Sequence, residues 1–411
     1  MEKITLKNGI RILLEEQETS KTACFGIWVK SGSIYENEQN NGISHFIEHM
    51  VFKGSEKRNA REIAEQMDYI GGQLNAFTAK DYTCFYAKTL DYHVPEGFDI
   101  LCDMVSKAKM DSNDIETEKK VVLEEINMSA DMPDDRVVEN MYKSVFNGSS
   151  LAMPILGKED TLKNINHDSI SSYMKENYSS DKIVIAICGK FDKDKFIDIA
   201  NKYFCDFKPS SNITQLSPII YNKSKSIIFD DCEQVHINIA FKGINSFDEK
   251  RYALSVLNII AGASSSSRLF QRIREDLGLA YSVYSSATSY KDTGLFEVQT
   301  AVNPSCAQKA YQEIISILSN LKNGVTELEF KRAKEQLKSG LLMGLESNAS
   351  RAGFMGRNEL LKNRIRREDD IINYVNSVTI QDVYDIANQI IDIDNHSLSV
   401  VGPLKDLQLD A

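Results

Sequence analysis

Long apolar runs are missing from this sequence. No apolar stretch approaches the roughly 20 residues that a helix needs to cross a bilayer, so we predict no transmembrane segment and no membrane partner. The first residues, Met1 to Gly9, lack the apolar core of a signal peptide and the Arg-rich, acid-poor composition of a mitochondrial presequence. We therefore expect a cytoplasmic protein.

Paired cysteines and clustered positive charge are also missing. The seven cysteines show no C-x-x-C spacing, which is typical of a reducing compartment and offers no cysteine zinc site. The net charge is −11 and no block of Lys or Arg occurs, which argues against a nucleic-acid partner. The 411 residues are 42% hydrophobic, which indicates a globular chain long enough for two domains of about 200 residues each.

Histidine is rare, with six residues in the chain, yet two of them stand close together in the segment His45-Phe46-Ile47-Glu48-His49. The surrounding residues, 43–52, predict a helix. Residues three or four apart lie on one helix face, so His45, Glu48 and His49 project together. Two imidazoles at this spacing can bind one zinc ion, and the carboxylate can reach a water on that ion. The order H-x-x-E-H is the inverted zinc-protease motif.

A simpler interpretation is a pair of surface histidines beside a solvated glutamate. The neighbouring side chains argue against it because they are apolar and predict an enclosed helix. Buried polar groups need partners, since leaving one unpaired costs about 1–3 kcal/mol, and a metal ion would satisfy all three. The apolar neighbours are Ile43, Phe46, Ile47, Met50 and Phe52.

A third protein ligand is needed, because catalytic zinc takes three and keeps one position open for water. The acidic segment 115–128 predicts a helix on which Glu118 and Glu125, seven residues apart, lie on nearly one face. The alternative for this segment is an ordinary solvated helix. The remaining histidines have no partner at ligand spacing and are interpreted as structural or surface residues: His93, His167, His236 and His396.

With this motif and this helix, the chain resembles the pitrilysin-type (insulinase, inverzincin, M16) zinc metallopeptidases. It is most similar to the short bacterial members related to the mitochondrial processing peptidase β-subunit. In that family a Glu about 76 residues after the second His is the third zinc ligand, and another Glu lies seven residues before it. The resemblance implies that Glu125 is the ligand, with the adjacent Glu124 as its competitor, and that Glu118 supports the zinc site. It also implies that Glu48 is the general base.

Two further segments match the family. Residues 71–78 resemble the edge strand beside the zinc helix, and Asn75, Ala76 and Phe77 are implied to hold an extended peptide by strand addition. Arg274 and Tyr281 match an Arg/Tyr pair from the second half of the fold. The resemblance implies that this pair contacts the substrate carbonyl region, where Tyr281 donates to the developing oxyanion.

The Ser-rich segment 262–270 resembles a family loop that is usually richer in glycine, so the role of residues 264–267 stays open.

A repeated pattern predicts the architecture. Residues 166–189 read as a helix, a turn and an apolar strand ending in glycine, and residues 379–402 repeat this pattern 213 positions later. Apart from this repeat, the pattern of residues predicts a helix over 374–390. Strands and helices mix without strict βαβ alternation, which predicts an α+β fold with two homologous domains. Each domain is a mostly antiparallel sheet with helices packed on one side.

The domain boundaries follow from a stretch rich in proline and serine. We predict a zinc-binding peptidase domain at 1–208, a linker at 209–222, and a homologous domain at 223–411 that lacks zinc ligands but carries the Arg/Tyr pair.

The predicted function is a zinc endopeptidase, with one Zn²⁺ per chain, that cleaves short or unfolded peptides held as an edge strand in an enclosed chamber. The resemblance implies a homodimer, because the chain holds two halves and carries both the zinc residues and the Arg/Tyr pair. Two alternatives remain: a non-catalytic assembly or binding subunit, and the catalytic subunit of a heterodimeric processing peptidase.

Overall fold

The computed structural model describes residues 1–210, 216 and 218–404, so the predicted linker at 209–222 lies partly outside the described residues. The chain divides into two compact units of three segments each. The first unit comprises Met1–Asn127, Met153–Ser217 and Gly344–Ile365, and the second comprises Met128–Ala152, Pro218–Met343 and Arg366–Ala411. Neither unit is continuous in sequence, because each includes a segment from the opposite half of the chain. The domain boundaries given above, which assume continuous domains, stay a prediction.

The elements are numbered in chain order. The strands are β1 (Glu2–Thr5), β2 (Arg11–Glu16), β3 (Thr22–Val29), β4 (Gln73–Thr78), β5 (Thr83–Leu90), β6 (Ile183–Gly189), β7 (Lys225–Phe229), β8 (Val235–Lys242), β9 (Ala280–Ser289), β10 (Gly294–Val302) and β11 (Ser397–Gly402). The α-helices are α1 (Ile43–Val51), α2 (Ala60–Tyr69), α3 (Val94–Ser106), α4 (Ser112–Asp131), α5 (Pro133–Val145), α6 (Glu159–Asn164), α7 (His167–Asn177), α8 (Lys193–Phe204), α9 (Arg251–Ala261), α10 (Ala307–Leu321), α11 (Glu327–Gly344), α12 (Asn348–Lys362), α13 (Glu368–Ser377) and α14 (Ile380–Ile390).

The first unit is built on a six-stranded sheet in the order β1-β2-β6-β3-β5-β4. Strands β2 and β6 pair in parallel and the other neighbours pair antiparallel. The central strand β6 is buried along its whole length, because helices cover both faces of the sheet. Strand β4 lies at one edge and alternates exposed and half-buried residues. Within the described residues, no strand of the sheet pairs with its outer edge.

The main core of the first unit lies between this sheet and several helices. Phe98 of α3 stacks on Phe196 of α8 with ring centroids 3.9 Å apart, and Phe25 of β3 meets Phe98 edge-on at 5.5 Å. Helix α12 packs on the opposite face of the sheet over Trp28. A Cβ atom at Gly356 would lie 2.3 Å from the Trp28 ring, so only glycine fits there without a shift.

The second unit is built on a five-stranded sheet in the order β7-β11-β8-β10-β9. Strands β7 and β11 pair in parallel and the rest antiparallel. Helices α9, α10 and α14 contribute the core on one face. Helix α5 covers the other face, where Asn140 donates to Ser399 at 3.0 Å.

The predicted α+β fold class, with two mostly antiparallel sheets and packed helices, is confirmed. The predicted repeat is also present: α7 leads into β6, and α14 leads into β11. The structure adds one helix to the second face of each sheet, whereas the sequence predicted helices on one side only. Each added helix comes from the opposite half of the chain, α12 for the first sheet and α5 for the second. No helix among the described residues combines the length and apolar character that spanning a bilayer requires.

Candidate metal centre

The helix that carries the histidine motif begins at a glycine. Gly42 is the N-cap of α1 with φ of 93°, a conformation that disfavours residues with a side chain. A Cβ atom there would also lie 2.7 Å from the Gly157 Cα and the Leu156 carbonyl oxygen. Phe46 and Ile47 are fully buried, so the helix is enclosed as its apolar residues predicted.

Three side chains converge beside this enclosed helix, where His45 is buried and His49 and Glu125 are half-buried. Nε2 of His45 lies 3.7 Å from Oε2 of Glu125, and Nε2 of His49 lies 3.4 Å from the same oxygen. One ligand atom from each residue lies within 4.8 Å of the others. The neighbouring Glu124 is exposed and is outside this group. Among the described residues, no second group of three His, Cys, Asp or Glu side chains converges in this way.

These donors fit a zinc ion. Two imidazole nitrogens and one carboxylate oxygen form a His₂Glu set, which is one of the sets that catalytic zinc uses. Burial, with a smaller contribution from nearby His49, lowers the pKa of His45 to about 4. His45 is therefore neutral at pH 7, the state that binds a metal. Its Nδ1 is buried and has no hydrogen-bond partner within the described part of the chain.

Glu118 orients the second histidine. Its Oε1 lies 2.8 Å from Nδ1 of His49, and its Oε2 forms an ion pair with Lys53. An Nδ1–H donated to Glu118 leaves Nε2 of His49 unprotonated and directed to Glu125, the tautomer that a metal needs. Glu118 is buried, with 3% of its surface exposed, so this hydrogen bond is shielded from water.

Glu48 lies between the motif histidines and the edge of the sheet. The hydroxyl of Thr78, the last residue of β4, donates to Oε2 of Glu48 at 2.6 Å. Burial raises the pKa of Glu48, and the Thr78 hydrogen bond opposes that rise. A raised carboxyl pKa suits a group that accepts and releases protons near neutral pH. Thr78 belongs to the segment 71–78 that was predicted to form the edge strand, but no role was predicted for it.

The edge-strand candidates lie on β4, beside α1. Phe77 is 42% exposed and contacts the rings of Tyr82 and Tyr86, at centroid distances of 5.6 and 6.3 Å. The Asn75 side chain accepts from the N–H of Ala76 at 2.8 Å. A peptide that pairs with this N–H would have to displace the Asn75 side chain.

Arg274 and Tyr281 lie in the second unit and contact each other. Arg274 is part of a π-helix, Phe270–Asp276, and its guanidinium carbon lies 4.7 Å from the ring centroids of both Phe270 and Tyr281. Tyr281 is 81% exposed, so the pair lies at the surface of the unit to which it belongs. Its predicted contact with substrate stays a prediction.

The remaining four histidines lie beside single polar side chains and outside the cluster of His45, His49 and Glu125. Nδ1 of His236 lies 2.7 Å from Oδ1 of Asp134, and Nε2 of His396 lies 3.0 Å from the Tyr311 hydroxyl. The other two lie within 4 Å of acidic neighbours: His93 near Glu96, and His167 near Asp168.

Comparison with known proteins agrees with this geometry. The family model described as Insulinase (Peptidase family M16) matches residues 11–159, and the model described as Peptidase M16 inactive domain matches residues 164–337. A Bacillus subtilis protein named uncharacterized zinc protease YmxG is 41% identical, over 98% of this chain and 98% of its own length. The chain belongs to peptidase family M16.

Other M16 relatives extend the comparison. A probable mitochondrial-processing peptidase subunit beta of Arabidopsis thaliana is 31% identical, over 98% of this chain and 78% of its own length. The crystal structure of a protease from Helicobacter pylori superposes with a TM-score of 0.90 at 21% identity, covering 98% of this chain and 99% of that one. The structural likeness establishes the M16 fold. Relatives named as zinc proteases therefore belong to the same family as this chain.

Proposed function

We propose that this protein is a zinc-dependent endopeptidase that hydrolyses short or unfolded peptides. The observation that carries the proposal is the convergence of His45, His49 and Glu125 beside Glu48, whose carboxylate is hydrogen-bonded to the last residue of an open edge strand. A structural zinc site would need a fourth side-chain ligand, and no fourth residue joins this group among the described residues.

Each of these residues has a proposed role. His45, His49 and Glu125 hold one zinc ion per chain, which when bound supplies a Lewis acid and makes water a usable nucleophile near pH 7. Glu48 accepts the proton of the attacking water. Because Oε2 of Glu48 accepts from Thr78, the other oxygen, Oε1, is the atom proposed to take this proton and deliver it to the leaving amine.

The edge strand supports the substrate class. A peptide added to β4 would bind chiefly through backbone hydrogen bonds, which do not read side chains. Asn75 and Ala76 would lie in the paired segment, where the N–H of Ala76 could bond the peptide once the Asn75 side chain moves aside, and Phe77 would contact a substrate side chain. Pairing of this kind requires an extended segment, and an enclosed chamber would limit entry further, so folded proteins would be poor substrates. Arg274 and Tyr281 are proposed to contact the substrate carbonyl region, with Tyr281 donating to the oxyanion.

The proposed assembly is a homodimer in the cytoplasm. Its support is that one chain carries both the metal group and the Arg/Tyr pair. A second candidate is the catalytic subunit of a two-chain processing peptidase, which the 31% identity to a probable processing peptidase subunit beta favours. The two candidates differ in whether the purified chain is active alone.

The test combines metal analysis with a base-deficient variant. Purified protein should contain about one zinc per chain and lose it to a chelator. Glu48→Gln should keep the zinc and lose hydrolysis of an unfolded peptide library. Glu56→Gln, an exposed residue shortly after α1, is the matched control and should retain activity. Full activity of Glu48→Gln would refute the assignment of the base, and absence of zinc from active protein would refute the metal.

A further inference from the structure

A buried carboxylate lies at the start of the helix that carries the histidines. Glu36 is 6% exposed and precedes α1 by seven positions. Its Oε2 accepts the backbone N–H of Gly42 at 2.6 Å and the side-chain amide of Asn41 at 2.9 Å. Its Oε1 accepts the backbone N–H of Ser44 at 2.9 Å. Both oxygens of Glu36 are therefore engaged by donors, and two of these donors belong to the first turn of α1.

Helix α1 has no cap of its own. Its N-cap residue is Gly42, which has no side chain to accept a hydrogen bond. The first N–H groups of a helix have no partner within the helix, and this helix start is buried. A carboxylate at that position also interacts favourably with the positive end of the helix dipole. Glu36 thus replaces the side-chain cap that the helix lacks.

The hydroxyl of Ser44 is held as well, on the other side of the helix start. It lies 2.8 Å from the hydroxyl of Tyr173, on α7, and 3.2 Å from the hydroxyl of Ser31. Both hydroxyls are buried with Ser44. The residue directly before His45 therefore has its backbone N–H bound by Glu36 and its side chain bound by Tyr173.

The two metal-binding histidines differ in how their rings are oriented. The Nδ1–H of His49 donates to Oε1 of Glu118, whereas Nδ1 of His45 has no hydrogen-bond partner within the part of the chain that is described. No second hydrogen bond therefore holds the ring of His45 in place. Its orientation depends on the backbone from which it projects, and that backbone begins where Glu36 binds.

We propose that Glu36 is a positioning residue for the metal centre. By holding the N–H groups of Gly42 and Ser44, it sets where His45 projects and so determines the affinity of the site for zinc. This inference rests on the proposed function. A glutamine at position 36 would keep one oxygen but would turn an amide NH₂ group towards an N–H donor, so one of the helix-start bonds would be lost.

The experiment measures zinc affinity of the full chain by competition with a chromophoric chelator, a readout that does not require activity. Glu36→Gln should weaken zinc binding by about 10- to 100-fold, the range typical of groups that orient metal ligands. Glu36→Asp keeps the charge on a side chain one methylene shorter and should give an intermediate loss. It also serves as the measurable variant if Glu36→Gln fails to fold.

Two controls separate positioning from general stability. Glu38→Gln removes an exposed carboxylate from the same loop and should leave zinc affinity unchanged. Glu359→Gln removes another buried carboxylate of the same unit. Glu359 lies on α12, across the sheet from α1, and pairs with Lys3 at 2.6 Å. This substitution should lower the melting temperature of the metal-free protein without changing zinc affinity.

The outcomes are distinct. Zinc affinity within twofold of wild type for Glu36→Gln, or an equal loss in Glu359→Gln, would overturn the positioning role while leaving the proposed function intact. Failure of the wild-type chain to bind zinc would instead overturn the proposed function. For peptide hydrolysis at saturating zinc, a positioning role predicts a lower kcat with little change in KM, because Glu36 does not touch substrate.

Discussion

Replacing Glu118 by glutamine tests how the site holds its second histidine. The wild-type carboxylate accepts from Nδ1 of His49 at 2.8 Å and pairs with Lys53. A glutamine of nearly the same shape can still accept the hydrogen bond through its amide oxygen, but it carries no charge. The substitution therefore removes the charge and leaves the geometry largely in place.

The expected magnitude follows from that difference. A hydrogen bond to a charged group contributes about 1.5–3 kcal/mol, and one between neutral groups about 0.5–1.5 kcal/mol. The substitution should therefore weaken this hydrogen bond by about 1–1.5 kcal/mol, which corresponds to a roughly tenfold increase in the dissociation constant for zinc. The loss appears in the zinc affinity because a bound metal makes the Nδ1–H of His49 a stronger donor, so the charged acceptor matters more when zinc is present.

The assay is chelator competition on metal-free protein, with the melting temperature measured on the same samples to detect any loss of folding from the unpaired Lys53. Glu124→Gln is the matched control, since Glu124 is exposed on the same helix and outside the metal group. It should bind zinc as the wild type does. Unchanged zinc affinity in Glu118→Gln, or an equal loss in Glu124→Gln, would refute the reasoning.

Two predictions concern stability. Gly356→Ala should destabilise the protein by about 1–3 kcal/mol, because its Cβ would lie 2.3 Å from the Trp28 ring. A Cβ at Gly353, on the same helix, meets nothing within 4 Å, so Gly353→Ala should stabilise the protein by about 0.5–1 kcal/mol. Urea unfolding measures both changes. Burial raises the pKa of Glu297, which accepts from Asn238 at 2.9 Å. The folded state therefore binds more protons than the unfolded state above about pH 4.5, so wild type should gain stability relative to Glu297→Gln as the pH falls from 7 towards 5. A difference independent of pH would contradict this sign.

Local spacing predicted the helix that carries the histidine motif. The helix was expected over 43–52 and spans Ile43–Val51, because its apolar positions recur with the helical period and are buried. The predicted helix over 374–390 is instead two helices, α13 and α14. Thr379 caps the second one by accepting the N–H of Asp382. Continuous periodicity hid this break, since the two helices bury apolar faces at compatible spacing.

Other features carried little local signal. Helix α12 was not predicted, and nothing in its own residues indicates that it covers the first sheet. Its burial depends on contacts such as Gly356 against Trp28, which are more than 300 residues apart in the chain. The capping role of Glu36 was also missed. Its one sequence signal is an acidic residue shortly before a helix whose N-cap position is glycine.

The sequence by itself determined that His45, Glu48 and His49 share one helix face, because the period of an α-helix is set by backbone geometry and needs no distant partner. The family resemblance added Glu118 and Glu125 as candidates. Only the tertiary structure decided that Glu125 reaches both imidazoles, that Glu118 binds His49, and that Thr78 holds Glu48. These contacts join residues 30 to 80 positions apart, and they form because burial of apolar surface brings helices and sheet together, which no local pattern encodes.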